Sequence, residues 1–251
     1  MRYLCVAMGA ATTYKAQGIV LHTVRYGDTS LIAYVLTDVA GRQTYLVQGA
    51  CGGKGKGNKS ALFQPMFPLA FEGIALRRSQ MDRMKDIRLL EPLRSVPFDV
   101  RKSTIALFMA ESLYKLVRES EADTTLFAFV REAILALDRM EEGVANFHLW
   151  FLVQLSAFLG FYPGNHYTAG DCFDIVEGAF VDRMPDHAIV LNRPNAALLA
   201  ELMTCGVEQL GELALARSQR ADFLTSLLHY FGYHFDTVYK MQSIRILSEV
   251  F

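Results

Sequence analysis

The stretch Ala16–Gly49, AQGIVLHTVRYGDTSLIAYVLTDVAGRQTYLVQG, decides how the first part of this chain is read. Gly18–Arg25 and Ser30–Thr37 are rich in β-branched and aromatic residues, and Tyr26-Gly27-Asp28 separates them as a turn. Asp38-Val39-Ala40-Gly41 makes the next turn, where Gly41 can take the positive φ that a hairpin exit needs. Gln43–Gln48 follows as a third strand. Phe67–Leu76 and Ile87–Val96 predict two more, with Pro92 ending the last one early or placing it on an edge. Short strands from Ala16 to Arg94, with no long helix between them, point to a small all-β barrel. A five-stranded OB-fold suits the count, although count alone does not separate it from an SH3-like barrel.

Near Pro97 the hydrophobic period changes. Ile105, Met109, Leu113 and Leu116 recur at three and four residues, one face of a helix, and Leu126, Val130, Ile134 and Leu137 do the same. A third helix, apolar nearly all round as a buried one should be, is capped by Asn146 and stopped by Pro163-Gly164. Ala179-Phe180-Val181 and Ala188–Leu191 read as a small hairpin, and helices resume at Asn195–Met203 and Gln219–Phe235. The expected architecture is α+β and multi-domain: an N-terminal barrel over residues 1–96, then an α-helical bundle over 97–251 with a small β-containing insertion near 165–192. Met1–Thr13 carry no usable pattern.

Charge divides the chain in the same way. Residues 1–100 hold 13 Lys+Arg against 7 Asp+Glu, a balance of +6, and the remainder hold 12 against 19, a balance of −7. A basic half suits a polyanionic partner. The longest strongly apolar stretch, Leu149–Phe161, is too short to cross a bilayer, and no cleavage signal follows Arg2, so a cytoplasmic protein with no membrane partner is expected. The four cysteines form no C-x-x-C pair, as reduced thiols of that compartment need not.

Gly49–Ser60 places Lys54, Lys56 and Lys59 among five glycines. The phosphate loop G-x-x-x-x-G-K-[ST] needs Gly directly before its Lys, but Asn58 stands there. Pro65 and Pro68 also interrupt the helix that should follow. A flexible basic loop that neutralises phosphates fits better, with sequence-independent affinity from counterion release. Lys15, Arg25 and Arg42 at strand ends, with Arg77 and Arg78 after a strand, complete the candidate DNA-binding set. Tyr26, Tyr34, Tyr45 and Phe63 offer stacking faces, though strand aromatics more often belong to a core. His166, Asp171, Cys172 and Asp174 are too poor in thiolate and imidazole for structural zinc, and His148 reads as a bundle residue. No Ser/His/Asp order, H-E-x-x-H motif or paired carboxylates appear in a catalytic context. No catalytic or metal residue and no cofactor is assigned.

Gln17-Gly-Ile-Val-Leu-His22, Arg25-Tyr-Gly-Asp-Thr-Ser-Leu31, Gly41-Arg42, Gln48-Gly49-Ala50 and Lys59-Ser60 leading into Leu62-Phe-Gln-Pro65 together resemble the N-terminal barrel of the RecO family. Leu159-Gly-Phe161 and Ser243-Ile-Arg245-Ile-Leu247 resemble segments of its helical half. The resemblance implies an N-terminal OB-fold and a non-enzymatic recombination mediator associated with the nucleoid. It implies binding of single- and double-stranded DNA and annealing of complementary strands. It also implies work with RecR and single-strand-binding protein in loading recombinase. Many relatives carry a four-cysteine zinc module after the Leu-Gly-Phe segment; here Cys172 alone remains, so zinc is not expected. Cys51 stands where relatives often begin their positive charge, which here starts at Lys54. The alternative is a protein-interaction adaptor with little DNA binding of its own. A phosphate-handling enzyme is the third reading.

Overall fold

The computed structural model describes residues 12–51, 59–75, 81–117, 122–164 and 166–251. The chain divides into two compact units, Met1–Pro92 with Glu119–Phe127, and Leu93–Arg118 with Ala128–Phe251.

The first unit is built on β1 (Thr12–Tyr26), β2 (Ser30–Thr37), β3 (Gly41–Val47), β4 (Pro68–Ala75) and β5 (Asp82–Leu89). Antiparallel pairing runs β1 to β2 to β3, and β4 pairs with both β1 and β5. A short parallel contact of Tyr45 with Asp82 and Leu46 with Arg83 joins β3 to β5 and closes the barrel in the order β1-β2-β3-β5-β4. That ring is the OB-fold. Alternate residues fill it: Leu31, Ala33 and Val35 from β2, Tyr45 and Val47 from β3, Phe71 from β4 and Met84 from β5. Gly41 takes φ 61°, the left-handed conformation expected of it at the β2–β3 turn.

Two strands carry a register slip, and both depart from their sequence boundaries. In β1 the register slips between Val20 and His22 against Val35 and Tyr34, so Ile19, Val20 and Leu21 are buried in succession. This strand also starts at Thr12, before any hydrophobic alternation begins. In β5 the register slips opposite Phe71, where Asp86 sits at φ 51°. The fifth strand was expected at Ile87–Val96 but runs over Asp82–Leu89. Its period is broken by the bulge and Met84 is its single buried residue, so the apolar Leu89-Leu90 at its end misled the reading.

The second unit holds α1 (Val100–Leu116), most of α2 (Thr124–Arg139), α3 (Phe147–Leu159), α4 (Arg193–Thr204), α5 (Arg217–His234) and α6 (Ser243–Val250). The two periodic faces read in the sequence are buried in full, Ile105 to Leu116 on α1 and Leu126 to Leu137 on α2. Asp99 caps α1 by accepting from Arg101 and Lys102 backbone N–H. Asn146 precedes α3 but makes no cap bond: its amide donates to the carbonyls of Leu210 and Leu213, 3.1 and 2.9 Å away. The helix ends at Gly160, φ 85°, rather than at Pro163-Gly164, because glycine enters the left-handed C-terminal turn without strain.

The expected hairpin of residues 179–181 and 188–191 is instead a three-stranded sheet. The buried β6 (Cys172–Asp174) lies between β7 (Ala179–Val181) and β8 (Val190–Leu191). Among the described residues no helix is long and apolar enough to cross a membrane.

Candidate nucleic-acid interface

Strand alternation sends every second residue of the barrel outward. After the β1 bulge, His22 lies opposite Tyr34, which lies opposite Thr44. One row further on, Val24, Ile32, Leu46 and Arg83 follow one another across β1, β2, β3 and β5. Three strand steps make that row about 14 Å wide. Val24 and Tyr26 are exposed, Ile32 and Leu46 half-buried, and the His22 ring lies 5.9 Å from the Tyr34 ring at a 32° tilt. The result is an apolar and aromatic strip ending in an exposed guanidinium. Such a strip offers planar bases a stacking surface and a phosphate a cation.

One barrel end frames the strip. Arg25 stands at the rim, its guanidinium donating to the Asp28 carbonyl at 3.4 Å across the β1–β2 turn. Cys51 N–H donates to the Thr29 carbonyl, and Ser60 N–H to that of Ala50. Cys51 and the exposed Lys59, which bracket the glycine- and lysine-rich stretch, are therefore tied to that end. Lys54, Lys56, Arg77 and Arg78 fall outside the described residues.

The described cations among those chosen from sequence, Lys15, Arg25, Arg42 and Lys59, do not lie on one side of the barrel. Arg25 and Lys59 share the framed end. Arg42 is half-buried and lies opposite Leu36, five β2 residues away from the Arg25 partner Leu31, about 17 Å at strand rise. Lys15 points outward on β1 beside Glu72 of β4, on the β1-β4-β5 side. Arg83, missed in the sequence, joins the strip because the parallel β3–β5 pairing brings it against Leu46. Nothing local in Asp82–Leu89 signals that. Of the four aromatics considered, Tyr45 and Phe63 are core, whereas Tyr26 and Tyr34 are on the strip's side of the barrel.

The β3–β5 seam has a polar latch. Tyr14 donates its hydroxyl proton to Asp82 Oδ2 at 2.7 Å, so the 3.0 Å contact between the two tyrosines is a donation from Tyr45 to Tyr14. Burial, more than these bonds, pushes the Tyr14 phenol up to about 12 and the Tyr45 phenol further still. Both stay protonated donors at any physiological pH.

In the second unit, the residues weighed as metal ligands are taken up by turns. Asp174 Oδ1 accepts from the Val176 and Glu177 backbone, and its other oxygen lies 3.3 Å from His187. Asp171 accepts from Thr168 N–H, and the Cys172 thiol points at the Val181 carbonyl. Among the described residues no group of three potential ligands gathers. His148 is a bundle residue, edge-on to Phe108 and stacked with Phe251; burial first, then the Arg220 charge, depresses its pKa to about 3.

These observations define an OB-fold protein with an apolar, cation-edged sheet face and a helical second half. Residues 8–93 match the family model for the recombination protein O N terminal domain, and residues 97–241 match that for its C terminal domain. The chain is 37% identical to the DNA repair protein RecO of Bacteroides fragilis, over 94% of this chain and 98% of that one. It is 32% identical to the protein of that name from Flavobacterium psychrophilum, again over 94% and 98%. The chain belongs to the RecO family.

Proposed function

We propose that this protein serves DNA repair and recombination as a mediator. It binds single- and double-stranded DNA, anneals complementary strands and helps load recombinase on DNA coated by single-strand-binding protein. It performs no covalent chemistry. Residues 1–96 form the DNA-binding half and residues 97–251 the helical half. Family membership supports the repair role, and with it RecR and single-strand-binding protein as partners in a cytoplasmic, nucleoid-associated setting. The single observation that supports strand binding is the outward row Val24, Ile32, Leu46 and Arg83 beside the neighbouring rings of His22 and Tyr34. Bases left against such a strip keep their pairing edges available to a complementary strand. Phosphates meet Arg25, Lys59 and Arg83, with Lys54 and Lys56 contributed by the glycine-rich stretch.

A salt titration of binding to single- and double-stranded oligonucleotides tests this reading. Affinity should fall steeply as salt rises. Replacing Lys54, Lys56 and Lys59 together with Ala should weaken binding to all sequences and flatten the log–log slope by at most about three, roughly one per lost phosphate contact. Unchanged affinity and slope in a folded triple variant remove the loop from the interface. Binding to partner peptides without DNA affinity makes the protein an adaptor instead, and nucleotide turnover makes it an enzyme.

A further inference from the structure

We infer that the barrel carries a second, weaker strand contact on its β1-β4-β5 side, a phosphate-binding cleft between Lys15 and Arg88. The inference rests on the strand-binding reading above and adds a separate site to it.

The β5 bulge builds the cleft. Lys85 and Arg88 are three residues apart and in a regular strand would point to opposite faces. The extra residue at Asp86 changes this: Lys85 comes opposite Glu72 and Arg88 opposite Ala70, so both cations point outward. On the other flank of β4, Lys15 lies opposite Glu72 and Gln17 opposite Ala70. Ala70 is thus a small floor between two long side chains, and a cleft of about 420 Å³ opens over it. That volume is within the range of small-ligand sites.

The charges decide what enters. Glu72 is engaged by Lys85 at 3.1 Å, and Asp38 Oδ1 accepts the Gln17 N–H at 2.8 Å. Among the described residues neither Lys15 nor Arg88 has an ion-pair partner, and both are exposed. Two strand steps and one row separate them, about 12 Å between backbones, within reach of neighbouring phosphates on one extended strand. Asp38, Glu72 and Asp86 line the same cleft, and although Lys85 engages Glu72, the carboxylates offset much of the attraction of Lys15 and Arg88 for an anion, so the contact is loose. Annealing benefits from that: one strand is held on the strip, and the other is retained near it while free to shift register.

The test uses the full chain and a short oligothymidine that cannot bridge both faces. Wild-type protein should saturate at two oligonucleotides per chain with unequal affinities. Lys15→Ala with Arg88→Ala should saturate at one, keep the tighter affinity and the wild-type melting temperature, and anneal complementary strands about tenfold more slowly. Arg25→Ala with Arg83→Ala should lose the tighter site and keep the weaker. Saturation of the wild type at one strand, or wild-type annealing by the Lys15/Arg88 variant, overturns the second contact and leaves the first intact. Failure of the wild type to bind any strand overturns both.

Discussion

Asp138, near the C-terminus of α2, accepts backbone N–H bonds from Arg94, Ser95 and Val96 at 2.8 to 2.9 Å. Lys102, 6% exposed, donates to Ser95 Oγ and to the Asp138 carbonyl, and Ser95 Oγ bonds that same carbonyl. Burial alone would raise the Asp138 carboxyl, but the three backbone donors outweigh it and hold the pKa below the ordinary value. A depressed folded-state pKa contributes stability that is present above the unfolded value, about 4, and is lost as pH falls through the folded one. Asp138→Ala should cost roughly 1–3 kcal/mol at neutral pH, because it leaves N–H groups unpaired. Asp138→Asn should flatten the acid limb of a stability–pH curve, measured by denaturant titration between about pH 2 and 6. A variant limb as steep as wild type would remove this carboxylate from acid stability. Single residues of this kind were poorly legible in the sequence, since Asp138 and Lys102 look like solvated helix charges until the 94–96 segment folds back. The same holds for Arg83, whose place beside Leu46 depends on a long-range parallel pairing.

Elements were legible where period and turn chemistry agree. Ser30–Thr37 has the boundaries its β-branched run predicted, and the α1 and α2 stripes were read residue by residue. A bulge defeated the reading in β5, because one inserted residue inverts the alternation on which the reading depends, whereas Gly18–Arg25 lies within β1 and only its start at Thr12 was missed. Three-residue β6 was missed for a different reason. Its neighbours β7 and β8 look like hairpin partners in sequence, and only tertiary pairing places Phe173 opposite both Phe180 and Leu191. Helix α6 is too short for periodicity to reveal and is held from outside: Glu111 of α1 accepts from the Gln242 and Ser243 N–H groups at 3.0 and 2.7 Å. Burial raises the Glu111 carboxyl, but the Ser243 and Gln242 bonds prevail and lower its pKa. Glu111→Ala should cost about 1 kcal/mol and release the start of α6. Hydrogen exchange at Gln242 and Ser243 should quicken severalfold while exchange in α3 stays slow. Equal protection in variant and wild type would mean that α6 is held by Leu247 burial alone.

On the scale of the whole molecule, a net charge of −1 conceals a basic barrel half and an acidic helical half, a division readable by counting. The more basic half follows from that count; the distribution of cations over two sides of the barrel does not, because it is set by strand pairing and the β5 bulge. Annealing asks for no bond-making step. It needs phosphate repulsion reduced and bases left free to pair, and under the proposed function cations at the framed barrel end would supply the first and the apolar strip beside them the second. Nucleotide hydrolysis would need a phosphate-cradling loop running into a helix N-terminus. The chain has Asn58 where that loop requires glycine. Lys59–Phe63 is a single 3-10 turn that gives way to β4 at Pro68, so no helix follows. The purified protein should therefore speed annealing of complementary strands without ATP or a divalent metal, and lose that activity as salt rises. A fluorescence annealing assay run with and without ATP–Mg²⁺, across a salt series, measures both dependences. Equal rates in the two arms, falling together with salt, are expected of charge neutralisation alone. Strict ATP dependence with phosphate release would sink this account and move the search for function to a nucleotide site.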